Sequence, residues 1–189
     1  MNKLALIALA GAASVASADV LLEIDVSVAD QITITATDGL SAVDASGSNF
    51  TGILLDNILS GASGGTAGTS VVGVADFGTF NEGSDGSPSV FVGGAGTDTG
   101  LNIWSFGGSS TLTFTAGTQA FVGSVVFDVP AALFADLAAV GTSGDIYFPA
   151  DDSGDIAGAQ SLGTYVVVPA PGALALLGLG GLTAARRRR

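Results

Sequence analysis

Histidine and cysteine are absent from this chain, and lysine and arginine together number five in 189 residues. Without imidazole there is no Ser-His-Asp relay; without thiols there is no cysteine nucleophile and no disulfide; without either, no zinc site. The five cations are Lys3, Arg186, Arg187, Arg188 and Arg189, so no positive side chain falls between residues 4 and 185. That gap excludes a Schiff-base lysine and every internal salt bridge within it. It also excludes nucleic acid as a partner, because phosphate binding rests on lysine and arginine. Any catalysis would have to run on Asp, Glu, Ser, Thr and Tyr.

What the chain has instead is negative charge. All seventeen carboxylates lie between Asp19 and Asp155, so the span 19–168 carries a formal −17 where the whole chain shows −12. These groups must be solvated, bonded to backbone N–H or hydroxyls, or neutralised by bound cations. Acidic polysaccharides and anionic membranes are repelled unless a divalent cation bridges them. About 150 residues are enough for one domain with a sizeable core, so disulfide staples are not required.

Both ends read as addresses. Lys3, an apolar stretch over 4–15 and Ala16-Ser17-Ala18 make a secretory signal peptide with a small-x-small cleavage step, which predicts a signal peptidase cut after Ala18 and a mature chain starting at Asp19. At the far end, Pro169, Ala170 and Pro171 precede an uncharged small and aliphatic run over 172–185, and then the four arginines. The prolines bar regular helix up to that point. A helix over 172–185 would be about 21 Å long, against roughly 30 Å of bilayer hydrocarbon. It is short for a permanent span, though arginine stems can snorkel to lengthen it. Arg186, Arg187, Arg188 and Arg189 act as a membrane stop that stays cytoplasmic, which places 19–168 outside the cell membrane. An ordinary C-terminal anchor with an arginine stop-transfer is the plain alternative.

The proline step, the short apolar helix and the terminal arginine cluster resemble the PEP-CTERM sorting signal of Gram-negative bacteria. Ala170 stands where that family has Glu, and with Pro-Gly-Ala-Leu-Ala-Leu-Leu-Gly at 171–178 this variant is similar to those of planctomycete-type bacteria. The resemblance covers residues 169–189 alone. It implies transient inner-membrane anchoring, processing of Pro169-Ala170-Pro171 by an exosortase, and a link to extracellular matrix and exopolysaccharide.

Between the addresses the periodicity is β. Residues 20–28 and 31–37 alternate apolar with polar, and similar short runs recur at 69–75, 89–92, 101–106, 110–115, 120–128, 144–148 and 163–168, bounded by Gly, Ser, Asp and Asn. Residues 49–59 fit a strand or a helical turn, and 60–68 reads as a glycine-rich loop. The predicted fold is all-β: one antiparallel sandwich or jelly roll over 19–168, with the C-terminal hydrophobic helix beyond it. One short helix at about 130–140 is expected, with Pro130 near its first turn, Leu133, Phe134, Leu137 and Val140 on one face, and Gly141 as its stop.

Four short motifs invite chemistry. Asp98-Thr99-Gly100 spells an aspartic-protease signature, but a dyad needs a second copy, and a polar turn is the simpler reading. Residues 93–98 fit the start of a calcium β-roll repeat, which needs tandem copies that the chain lacks. Asp151, Asp152 and Asp155 concentrate three carboxylates in five residues, the oxygen-rich pattern that suits Ca²⁺ or simply a solvated turn. Trp104, the only tryptophan, could stack on a sugar ring. In strand periodicity it shares a face with Asn102 and Phe106, opposite Leu101, Ile103 and Ser105, and a sandwich would bury that aromatic face as core. Asn49-Phe50-Thr51 is a nominal glycosylation sequon.

Three function classes remain: a noncatalytic surface or matrix protein sorted through its tail; a carbohydrate-binding module, with or without calcium; and a glycan hydrolase using two carboxylates, for which the sequence singles out no pair.

Overall fold

A computed structural model describes residues 18–61, 67–68, 70–71, 88–93, 97–105, 110–137 and 141–168. Ala16, the step Pro169-Ala170-Pro171, the apolar run that follows it and Arg186 to Arg189 lie outside the described residues. So do Phe106 and most of the strand expected at 69–75. No helix among the described residues is long and apolar enough to cross a membrane.

Among the described residues the fold is mostly β, with one short α-helix. Its strands are β1 (Val20–Asp25), β2 (Gln31–Ala36), β3 (Ala45–Ser48), β4 (Ile53–Leu55), β5 (Ala67–Gly68), β6 (Ser70–Val71), β7 (Ser89–Phe91), β8 (Leu101–Trp104), β9 (Thr111–Phe114), β10 (Ser124–Asp128), β11 (Ser143–Phe148) and β12 (Gln160–Val168). The period of two is visible in the burial. Ile32 and Ile34 of β2 are fully buried while Thr35 is exposed, and in β9 Leu112 and Phe114 turn inward while Thr111 and Thr113 face water.

Ten strands form one sheet in the order β5-β7-β8-β4-β11-β12-β1-β2-β10-β6. Its two edges, β5 and β6, are consecutive in the chain and separated only by residue 69, so the sheet bends round nearly into a barrel. This disposes of most exposed strand edge, the usual template for unwanted pairing. The remaining pair, β3 with β9, packs on the sheet: the Phe114 ring lies 5.0 Å from that of Phe148 in β11 and 5.3 Å from Phe121. Leu22, Ile24, Ile34, Ile53, Leu55, Leu101, Ile103, Phe127, Ile146, Phe148, Tyr165 and Val167 join one core with Leu112 and Phe114. Each large side chain so buried contributes about 1.5–3 kcal/mol before entropy is counted.

Three sequence expectations are corrected. The sheet is not antiparallel throughout, because β1 runs parallel to β12. Periodicity reports how a strand is buried, not the direction of its neighbour. This junction also ties in the start of the expected mature chain: the Asp19 carbonyl accepts from Thr164 N–H at 2.9 Å, and its Oδ2 accepts from Leu40 N–H at 2.9 Å. Secondly, the consecutive buried residues Leu21 and Leu22 violate the alternation, and the cause is a register shift in β1 between Val20 and Leu22. Leu21 packs over Gly163, where a Cβ would sit 2.7 Å from Leu21 Cδ1 and 2.9 Å from the Asp19 carbonyl oxygen.

Thirdly, the helix is shorter than its apolar face suggests. Pro130 is its N-cap and Leu133 is buried beneath it, but α1 covers only Ala131–Asp136. Leu137 is already extended and bridges to Leu59, while the Asp136 carboxylate accepts from both the N–H and the hydroxyl of Ser60. Bonds to the neighbouring loop thus accompany the end of the helix at Asp136, while Val140 lies outside the described residues. Strand ends move as well: β1 stops at Asp25, β10 begins at Ser124, and β12 begins at Gln160.

Candidate functional site

The site is organised by β8. Leu101 and Ile103 are fully buried, in register with Leu55 and Ile53 of β4, and Ile103 also faces Val90 of β7. Their face is the core, so Asn102 and Trp104 stand on the outer face with Phe91 opposite Asn102. The partition into two faces is as periodicity predicts, but the choice of interior is reversed. The aliphatic side wins the core, and Trp104 is only half-buried.

Two loops, around residues 97–100 and 150–155, cover part of that outer face. Asn102, 2 % exposed, draws the second of them together with the turn before β4. Its Nδ2 donates to the carbonyls of Thr51 at 2.8 Å, Ile53 at 3.1 Å and Ala150 at 3.1 Å. Thr51 follows Phe50 and Ala150 precedes Asp151, so a single amide brings a ring and a carboxylate to the same place. Beside that clamp lies an open groove of about 230 Å³, lined among the described residues by Phe50, Phe91, Asn102, Trp104 and Asp151. Phe50 is 56 % exposed and Phe91 40 %, unusual for large apolar side chains. Phe50 and Trp104 meet edge to face, with centroids 5.1 Å apart and planes at 88°.

Behind the groove lies the acidic loop. Carboxylate oxygens of Asp151, Asp152 and Asp155 converge within 4.8 Å of one another. The Asp151 carboxyl is pushed above the usual carboxylate range, first by partial burial, then by its hydrogen bond to Asp155 and by the charges of Asp155 and Asp152. Three carboxylates supply only part of the roughly six to eight oxygens that Ca²⁺ takes, and water serves an exposed acidic turn equally well.

Asp98 is the surprise of this region. It is 7 % exposed, and its carboxylate accepts from Gly100 N–H at 2.6 Å, Ser153 N–H at 2.8 Å and Ser153 Oγ at 2.9 Å. Asp98-Thr99-Gly100 is thus a lock that holds the acidic loop, and its carboxylate is committed to backbone and hydroxyl donors in the manner of a turn. Gly93 completes the fit, since a Cβ there would lie 2.7 Å from Cβ of Asp152.

A second carboxylate neighbourhood joins the end of β4 to β11. Asp56 N–H donates to the Asp145 carbonyl at 3.0 Å, and Tyr165 O–H donates to the Asp56 carbonyl at 2.7 Å. Burial raises the Asp56 carboxyl; the Asn57 N–H opposes this, while the charges of Asp145 and Asp98 add to it. Burial, followed by the charges of Asp56 and Asp145, likewise holds the Tyr165 phenol protonated. Neither Asp56 nor Asp145 lines the groove.

No protein-family model matches the chain, and neither a curated protein nor a solved structure does.

Two of the residues picked from sequence, Trp104 and Asp151, meet at one groove, with carboxylate oxygens of Asp152 and Asp155 within 4.8 Å of that of Asp151. Asp19 is woven into the sheet instead. Asn49 is 1 % exposed, so the sequon does not offer its amide to solvent. Sequence reasoning missed Phe50, Phe91 and Asn102. Phe50 lay hidden inside the sequon. The only signal for Asn102 was a polar residue held between Leu101, Ile103 and an aromatic, which periodicity reads as an outward-facing position.

Proposed function

We propose that this is an exported, noncatalytic surface or matrix protein whose β-domain binds carbohydrate through the groove at Trp104. The observation that carries the reading is the aromatic trio of exposed Phe50 and Phe91 with half-buried Trp104 beside Asp151, where a buried amide ties the Phe50 turn to the Asp151 loop. Aromatic faces carry negative potential and attract the weakly positive C–H face of a pyranose, while a carboxylate accepts from hydroxyls. Residues 1–18 are its signal peptide and 169–189 its PEP-CTERM-like sorting signal, read by signal peptidase and an exosortase-like enzyme during transient residence in the inner membrane. The anchoring of Asp19 to Leu40 and Thr164 supports a folded domain that begins at that residue. Its architecture is a jelly-roll-like sandwich in which β3 and β9 form the second layer, a reading supported by the Phe114–Phe148 contact. Extracellular polysaccharide is the proposed partner, and nucleic acid is not one.

The test is a glycan array spanning neutral, amine-bearing and anionic sugars, probed with the full chain and with Trp104→Ala. Retention on at least one class, lost in the variant, is the expected result. Silence on every class overturns the proposal.

A further inference from the structure

The groove is unusual in what its polar lining can offer. Among the described residues Asn102 is one of two side-chain donors in it, and both its N–H groups are committed to the carbonyls of Thr51, Ile53 and Ala150. The other donor is the single indole N–H of Trp104. Asp151 only accepts when ionised, and Asp152 and Asp155 lie behind it with carboxylate oxygens inside the same 4.8 Å cluster. No cation exists anywhere between residues 4 and 185 to offset them. A sugar carboxylate or sulfate would meet repulsion here, and an N-acetyl carbonyl would find few donors. An ammonium group has three donors, no acceptor and a charge attracted both by carboxylates and by aromatic faces.

Resting on the carbohydrate reading above, we propose that the groove selects amine-bearing sugars, as in a de-acetylated amino-sugar polymer, with the pyranose ring against Phe91 and Trp104 and its ammonium group at Asp151. The occupant is chosen by charge complementarity, and the edge-to-face packing of Phe50 on Trp104 braces the platform that receives it.

The experiment is calorimetric titration of the full chain with four probes at low and moderate salt: a glucosamine hexamer, an N-acetylglucosamine hexamer, an oligogalacturonate and a tetra-arginine peptide. The glucosamine hexamer is expected to bind about tenfold or more tightly than the neutral hexamer, with the anionic probe silent. Asp151→Asn and Phe91→Ser each weaken it by about tenfold, while Glu23→Gln, at an exposed position of β1, leaves it unchanged. Near-ultraviolet circular dichroism confirms that each variant is folded, and Phe91→Ser and Asp151→Asn serve as mutual checks because both side chains are exposed. Equal binding of the neutral hexamer, indifferent to Asp151, overturns the amine selectivity and leaves the carbohydrate reading standing. Equal weakening by Glu23→Gln shows general attraction to an acidic domain and overturns the proposal. Tight binding of tetra-arginine with the same variant dependence does so in favour of a basic peptide site. Silence of all three sugars removes the carbohydrate reading itself.

Discussion

Replacing Asn102 by alanine removes a side chain that ties the Phe50 turn, the start of β4 and the Asp151 loop to β8. Its two N–H groups serve three carbonyls at 2.8, 3.1 and 3.1 Å in a site that is 2 % exposed. Each buried hydrogen bond contributes about 0.5–1.5 kcal/mol net, and an acceptor left dry costs somewhat more. Two full bonds and a third made by sharing one N–H put the loss at about 2–3 kcal/mol. For a domain of this size that corresponds to a fall in Tm of about 5–10 °C. Asn102→Asp, nearly isosteric but unable to donate when ionised, turns attraction to three carbonyls into repulsion and should cost more than alanine. The assay is urea denaturation followed by the emission of Trp104, the only tryptophan, which sits at the edge of the clamp. Loosening of the Phe50 turn should also redden the native baseline before any unfolding. A loss below about 0.5 kcal/mol in Asn102→Ala, the range of an ordinary surface substitution, together with unchanged native emission, would refute the clamp.

Three further outcomes follow from the same geometry. Gly163→Ala puts a Cβ 2.7 Å from Leu21 Cδ1 and 2.9 Å from the Asp19 carbonyl at a residue with φ of 156°, and should cost about 1–3 kcal/mol in denaturant unfolding. Asp98→Ala frees Ser153 and Gly100 and should destabilise by about 2–4 kcal/mol, whereas Asp98→Asn, which keeps one acceptor oxygen, loses roughly half of that; equal melting of the two variants would count against the lock. Because the folded state raises the Asp151 carboxyl, it binds that proton more tightly than the unfolded chain. Stability therefore rises as pH falls from the raised value toward the ordinary carboxylate range, and Asp151→Asn should flatten that part of the stability profile, read by thermal melts across acid pH.

Much of the fold was legible because burial imposes a period of two on strands such as β2, β9 and β10, and because short runs were separated by turn residues. The parallel β1–β12 pairing was not, since no residue pattern encodes which way a partner runs. The length of α1 escaped for a related reason. Leu137 carries a helical pattern, but the carboxylate of Asp136 and the backbone of Leu137 are claimed by a loop more than seventy residues earlier, at Ser60 and Leu59. At the groove, Trp104 and the three aspartates stood out by chemical type alone. Their meeting depends on Asn102 and Asp98, whose importance lies in bonds to loops distant in sequence. The error over Trp104 is instructive. Periodicity divides β8 into two faces, but only the neighbours Val90, Ile53 and Leu55 decide which of them is the interior.

Trp104 also makes the central claim directly measurable, since its emission reports the groove without interference from any other tryptophan. Titration of the full chain with amine-bearing oligosaccharide should give a saturable spectral shift and protect Trp104 from acrylamide quenching, with both effects requiring about tenfold more ligand in Asp151→Asn. Sugar binding detected by calorimetry with Trp104 emission and quenching unchanged would place the ligand elsewhere and contradict the account.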